Sequence, residues 1–254
     1  MREAPDIDSS SPDYARRFSG PMGEWFLETQ TALTLSALEA LPRGRIIDVG
    51  GGHAQLTPAL LSSGFDVVVY GSPEASRERV SSSLAKPDCE FVAGDLVRLP
   101  FGDRSFDAAL CFRILPHLTS WRGLINELCR VSSRSVVVDY PARKSVNIGS
   151  GLLFGIKRGI ESNARPYRLF SRREVREAFE ACDFTLASTR PQFLFPMALY
   201  RFVNSTRWAR LLEAPGRALG LTGMFGSPVI ARADRTVVDT HRLEGGTEIA
   251  TTAE

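Results

Sequence analysis

The sequence is poor in the residues from which disulfide frameworks and metal centres are made. It holds four cysteines, Cys89, Cys111, Cys129 and Cys182, and no two form a C-x-x-C pair. Each lies in or beside an apolar run, which reads as buried, reduced thiol. Histidine is scarcer still: His53, His117 and His241 stand in unrelated contexts, so no metal site is expected. Neither sign of charge dominates. The 31 basic and 29 acidic residues leave a net charge of +2, which gives no nucleic-acid footprint. No apolar run approaches the roughly 18 residues of a membrane span, and residues 1–18, "MREAPDIDSSSPDYARRF", contain no signal-peptide core. These absences lead to the expectation of a cytoplasmic protein.

What is present suits one α/β domain. The 254 residues are 43% hydrophobic, enough for one core and an elaboration on it. Residues 1–12 are polar and 236–254 lack any period, so both are expected to be disordered, with a single domain over 13–235. From Tyr14 to Leu41 apolar residues recur at helical spacing, broken at Gly20-Pro21, which predicts two helices. Runs at 45–49, 66–70, 89–95, 106–112 and 135–140 then alternate with helical segments, and 184–195 and 228–234 add two late strands. The expected fold is a doubly wound, mostly parallel seven-stranded sheet with N-terminal helices and a helical insertion before the last strand. Ser72-Pro73-Glu74 starts one helix, and Ser171 with Glu174 forms a capping box at another. Residues 146–170 and 196–226 interrupt the alternation. A connection of about 30 residues is long for two adjacent strands and suggests a cap or binding element.

The stretch "RIIDVGGGHAQL" at 45–56 runs a buried strand into a glycine turn and a helix start. Such a turn lets backbone approach a ligand, and the helix start supplies unpaired N–H groups. Dinucleotide enzymes use G-x-G-x-x-G, but Gln55 stands at the third position. The pattern acid-x-Gly-x-Gly fits better, through Asp48, Gly50 and Gly52, with Ala54 where a last glycine is usual. Asp95-Leu96 follows the third strand, "LPFGDRSFDAALCFRILPHL" spans 99–118, and "SPE" follows the second strand.

On these residues the chain resembles the class I S-adenosylmethionine-dependent methyltransferases over about 14–190, most strongly over 45–120. Its general likeness is to the methyltransferases of quinone and secondary metabolism. The resemblance implies a Rossmann-like fold and S-adenosyl-L-methionine as cofactor. Asp48, Gly50, Gly51 and Gly52 would serve the amino-acid and ribose end, and Asp95 and Leu96 the adenine. Arg113, directly after the fourth strand, would face cofactor or substrate. One departure stands out. The ribose acid that usually ends the second strand is replaced by Tyr70, so Tyr70, Ser72 or Glu74 would have to meet the ribose. The same departure leaves open a non-catalytic binding or partner module on this fold. Ser72 with Arg77 and Arg79 also permits an NADP site, but that reading leaves the "LPF" and "SFD" features unexplained.

No N/D-P-P-Y/F signature of DNA methyltransferases follows the fourth strand, so the expected partner is a small-molecule acceptor and not nucleic acid. No catalytic residue is fixed. His117, at the mouth of the sheet, is the candidate base for an oxygen acceptor, against packing at a helix start. Tyr14 and Phe18 resemble inward aromatics of the family's N-terminal lid. The insertion at 196–226, with apolar residues edged by arginine, reads as sheet packing, as a cap, or as a peripheral membrane contact.

Overall fold

Parallel strands buried on both faces must be apolar along their length, and the β-branched runs of this chain are buried on both faces. In the computed structural model, seven strands form one sheet in the order β3-β2-β1-β4-β5-β7-β6. The structure describes residues 18–51, 55–71, 75–145 and 167–236, and of 75–79 the backbone alone. Of the expected features, Tyr14, Gly52, Ser72, the polar start, residues 146–166 and the tail from 237 lie outside the described residues.

The strands are β1 (Arg45–Val49), β2 (Asp66–Gly71), β3 (Cys89–Ala93), β4 (Phe106–Cys111), β5 (Ser132–Tyr140), β6 (Phe184–Pro191) and β7 (Val229–Arg235). The first five pair in parallel, and β7 runs antiparallel between β5 and β6. The boundaries differ from the sequence expectation where hydrophobicity outlasts pairing. β6 stops at Pro191 although "QFLF" continues the apolar run, because 192–195 turn away to meet the helices that follow.

Helices α1 (Gly20–Leu38), α2 (Thr57–Ser62) and α3 (Ala75–Leu84) precede β1, β2 and β3. Helix α4 (Trp121–Val131) precedes β5 and α5 (Arg172–Glu180) precedes β6. Gly20-Pro21 opens α1 as its first turn, where proline costs no hydrogen bond. Trp121, Leu124, Ile125, Leu128 and Val131 of α4 recur at one helical face and are all buried. They pack with α5 on one side of the sheet against Ile47, Val49, Val68 and Tyr70. On the other side Leu38, Leu60 and Val80 meet Ile46, Val67 and Val69. Each such side chain contributes about 1.5–3 kcal/mol on leaving water. Ser171 and Glu174 form the reciprocal capping box at the start of α5.

Between β6 and β7 the chain forms α6 (Met197–Val203), α7 (Thr206–Ala218) and α8 (Leu221–Phe225). These helices join α1 in a third cluster, where Phe193 and Tyr200 meet Trp25 and Phe26 edge-on at 5.0–6.2 Å. The far end of α1 is held by Arg232, which donates 2.8 Å to the Ala37 carbonyl. Among the described residues no helix is long and apolar enough to cross a membrane.

Candidate functional site

The carboxyl edge of β1 ends in the glycine turn, and two features of that turn require glycine. Gly50 has φ +81°, and a Cβ there would lie 2.6 Å from Cγ1 of Ile114. A Cβ on Gly51 would overlap the carboxylate of Asp48. The turn is drawn down onto the sheet by Gly50 N–H, which donates 2.7 Å to the Tyr70 carbonyl.

Asp48 lies directly beneath this turn, 3% exposed, on the sheet face that packs against α1. Burial pushes its carboxyl up to about 7, and the Arg113 guanidinium partly offsets that shift. A second buried carboxylate, Asp139, ends β5, two strands away across β4. It is pushed up to about 6 by burial, against the hydrogen bond and charge of Arg113. Arg113 follows β4, between the two carboxylates. Its φ of +60° aims its N–H at Asp139 Oδ1, 2.6 Å away. Its side chain binds Gln55 Oε1 and lies 4.9 Å from the Phe18 ring centre. An arginine with a buried acid on each flank, under an aromatic ring and beside a bare glycine turn, forms a polar group in an apolar frame.

Asp95 and Leu96 lie in a tight turn after β3. Asp95 Oδ1 accepts 3.1 Å from Val97 N–H, which closes its own turn, and Leu96 buries its side chain in the core. Tyr70 is fully buried and donates its hydroxyl 3.1 Å to the Asp95 carbonyl. A Cβ on Gly94 would overlap that hydroxyl, so glycine is what lets the ring in. Tyr70 therefore holds the Asp95 turn from below, and its hydroxyl is committed there. The "LPF" stretch is part of the same support. Phe101 meets Tyr70 at 5.8 Å and Phe106 at 5.0 Å. From α4, Arg130 donates to the Leu99 and Phe101 carbonyls and pairs with Asp103 at 2.9 Å, while Glu127 accepts from Leu99 N–H. The motif is a clamp that fixes the loop beside Asp95.

His117 sits in a short 3-10 turn (Leu115–His117), with its ring 5.6 Å from that of Tyr167. Sequence reasoning did not single out Asp139 or the supporting pair of Glu127 and Arg130. An acid at the end of a buried strand, in "VVVDY", is the signal that could have marked Asp139.

Residues 47–136 match the family profile described as a methyltransferase domain. Over this stretch the chain is similar to methyltransferase domains. Its curated relatives include the demethylmenaquinone methyltransferase of Beutenbergia cavernae, 36% identical over 111 residues, 42% of this chain and 45% of the relative. The enzyme of that name from Mycobacterium marinum is 29% identical over 148 residues, 53% of this chain and 62% of the relative. The chain spans about half the length of the curated relatives it matches.

Among solved structures this fold recurs in a magnesium protoporphyrin IX methyltransferase from Synechocystis with bound S-adenosylhomocysteine. That match has TM-score 0.60 at 18% identity, covering 88% of this chain and 94% of the other. It also recurs in the cyclase SpnF, with TM-score 0.57 at 17% identity, covering 82% of each. The same scaffold thus carries more than one chemistry.

Proposed function

We propose that the chain transfers the methyl group of S-adenosylmethionine to a small apolar acceptor of the quinone or phenol class. The observation that carries this reading is the charge set of buried Asp48 and Asp139 with half-buried Arg113 between them, beside the glycine turn. The cofactor's amino-acid end is a zwitterion next to a sulfonium cation. Buried Asp48 suits the cationic groups and Arg113 suits the carboxylate, so the residues fit the group. When bound, the cofactor supplies a methyl on a good leaving group, and the protein's work is alignment and exclusion of water.

The chain's own residues divide that work. Gly50 and Gly51 keep the turn free of side chains. Asp95 has one carboxylate oxygen in its own turn and presents the other to an adenine amino group, with Leu96 N–H beside it. Tyr70 positions that pair; in place of a ribose acid the chain has a core ring. Phe18 over Arg113 forms one wall of the acceptor side, and the aromatic cluster of α1 with α6 backs it. His117 takes the proton of a hydroxyl acceptor, a role that a carbon acceptor leaves idle. The relatives named demethylmenaquinone methyltransferases support an apolar ring as acceptor.

A second reading, a binding module without catalysis, is favoured by one observation: the ribose acid is replaced by the buried, engaged Tyr70. Calorimetry with S-adenosylhomocysteine separates the two before any acceptor is known. The enzyme reading expects binding in the wild type and a loss of about tenfold or more in Gly50→Val, whose side chain collides with Ile114. No measurable heat with the wild type would move the conclusion to the module.

A further inference from the structure

The helices between β6 and β7 leave exposed most of the apolar surface they carry. α7 docks on the body through Ala209, Glu213 and Gly216, a narrow stripe at i, i+4 and i+7. Turned by roughly a quarter of the helix circumference, Trp208, Leu211, Leu212, Pro215 and Leu219 recur at i, i+3, i+4, i+7 and i+11. This second stripe faces water: Trp208 is 63% exposed and Leu219 73%. α6 adds Phe202 at 88% and α8 adds Met224 at 69%. Scattered apolar residues on a surface need no explanation, but a periodic stripe with an exposed tryptophan does.

The charge around the stripe names its partner. Segment 196–226 holds four arginines, Arg201, Arg207, Arg210 and Arg217, and a single acid, Glu213. That acid is 2% exposed and is spent inside, on Leu194 N–H and the Tyr200 hydroxyl. Every charged side chain of this segment outside the core is therefore an arginine; of the four, Arg210 lies 3.7 Å from Glu28 of α1 and Arg217 lies 3.6 Å from the Glu213 carboxylate. A second copy of the chain would bring like charge against like charge across a two-fold axis, which opposes self-association. An anionic lipid surface meets both features at once: the apolar stripe enters the acyl boundary, and the guanidinium groups of Arg207, about a quarter-turn from Trp208 on α7, and of Arg201, next to exposed Phe202 on α6, meet phosphates beside it. Tryptophan at the stripe suits the headgroup level, where an apolar ring and an N–H both find partners.

We propose that α6–α8 are a docking surface for an anionic lipid bilayer, with α7 lying in the interface plane. This surface does not depend on the methyl-transfer reading, so each can fail alone.

The chain reports on its own docking. Of its three tryptophans, Trp25 and Trp121 are buried and Trp208 is exposed. In buffer, iodide should quench part of the emission. With vesicles rich in phosphatidylglycerol, emission should shift to the blue, quenching should fall, and the protein should co-sediment. Phosphatidylcholine vesicles alone should bind about tenfold more weakly. The double variant Trp208→Glu, Leu219→Glu, with unchanged thermal midpoint, should lose co-sedimentation by about tenfold or more. Arg207→Gln should weaken binding to anionic vesicles alone. The proposal is overturned by equal binding to both vesicle types, by no binding, or by wild-type binding in the glutamate variant. Protection of Trp208 from iodide without lipid would overturn it too, by showing that the chain covers its own stripe. So would a dimer that the glutamate variant dissociates.

Discussion

Asp48 sets folding against binding. Its carboxyl is raised from 3.8 to about 7 and that of Asp139 from 3.8 to about 6, both by burial. A carboxyl with a raised folded pKa binds more protons in the folded state, so its contribution favours folding at low pH. That contribution is full below about 4, fades as pH rises to about 7 and is flat above. Glu174, lowered to about 2 by its Ser171 cap, acts with the opposite sign only below about 4.5, so the two windows separate. The thermal midpoint of the ligand-free protein should therefore fall between pH 5 and 7. Asp48→Asn should raise the midpoint at pH 8, flatten that slope and weaken S-adenosylhomocysteine by about tenfold. A slope unchanged in Asp48→Asn would remove Asp48 as its source. Tyr70 gives a second test at this scale. Tyr70→Phe deletes one hydrogen bond to the Asp95 carbonyl and should cost about 1 kcal/mol, with a matching rise in ligand Kd. Tyr70→Asp restores the usual ribose acid but removes a core ring, so it should cost several-fold more stability than Tyr70→Phe. Chemical denaturation of both variants reads the difference.

Two elements depend on single charged residues. α4 holds the 99–103 loop through Arg130, whose guanidinium reaches the Leu99 and Phe101 carbonyls as well as Glu127 and Asp103. Arg130→Ala should cost about 2 kcal/mol and loosen the loop beside Asp95, visible as faster amide exchange at 95–103 with the glycine turn unaffected. α7 is anchored by Glu213, which accepts from Leu194 N–H at 2.6 Å, from the Tyr200 hydroxyl and from Thr222 at 3.3 Å. Arg217 lies 3.6 Å from the same carboxylate. Glu213→Ala leaves those buried donors without an acceptor and should cost about 3 kcal/mol. Amide exchange should rise first across 194–226, while the sheet keeps its protection. Exchange that rises everywhere together would show that the insertion is not a separable unit.

At the scale of the molecule, the insertion and α1 form one layer over the sheet edge. Phe193 and Tyr200 bury Trp25 and Phe26, and the start of α1 sets Phe18 over Arg113. Replacing 197–222 by a short turn should lower the thermal midpoint, because the cluster around Trp25 and Phe26 loses Tyr200, Ala209 and Met197. The sheet, held by its own two faces, should still fold and bind S-adenosylhomocysteine within about tenfold of the wild type. On the proposed function, in which this layer backs the acceptor side, methyl transfer to an apolar ring should be lost. Full activity in the deletion would show that the layer is packing alone.

The sequence by itself determined the alternation of strands and helices, because burial on both faces writes continuous apolar runs such as "VVVD". It determined the glycine turn with its acid, because only glycine accepts φ +81° there and only a short side chain fits beneath it. It also marked Asp95-Leu96 and the "LPF" stretch as belonging together, with an adenine contact for Asp95 and Leu96 implied by resemblance. Tertiary structure decided what holds them in place. Tyr70 reads as a stand-in for a ribose acid in one dimension; in three, packing under Asp95 takes its hydroxyl. Asp139 is 91 residues from Asp48 in the chain, and only strand order brings both to Arg113. The two stripes of α7 are one amphipathic pattern in the sequence. Which stripe meets the body was settled by Glu213, whose buried carboxylate needs the Leu194 and Tyr200 donors, and this turned the larger apolar side chains outward.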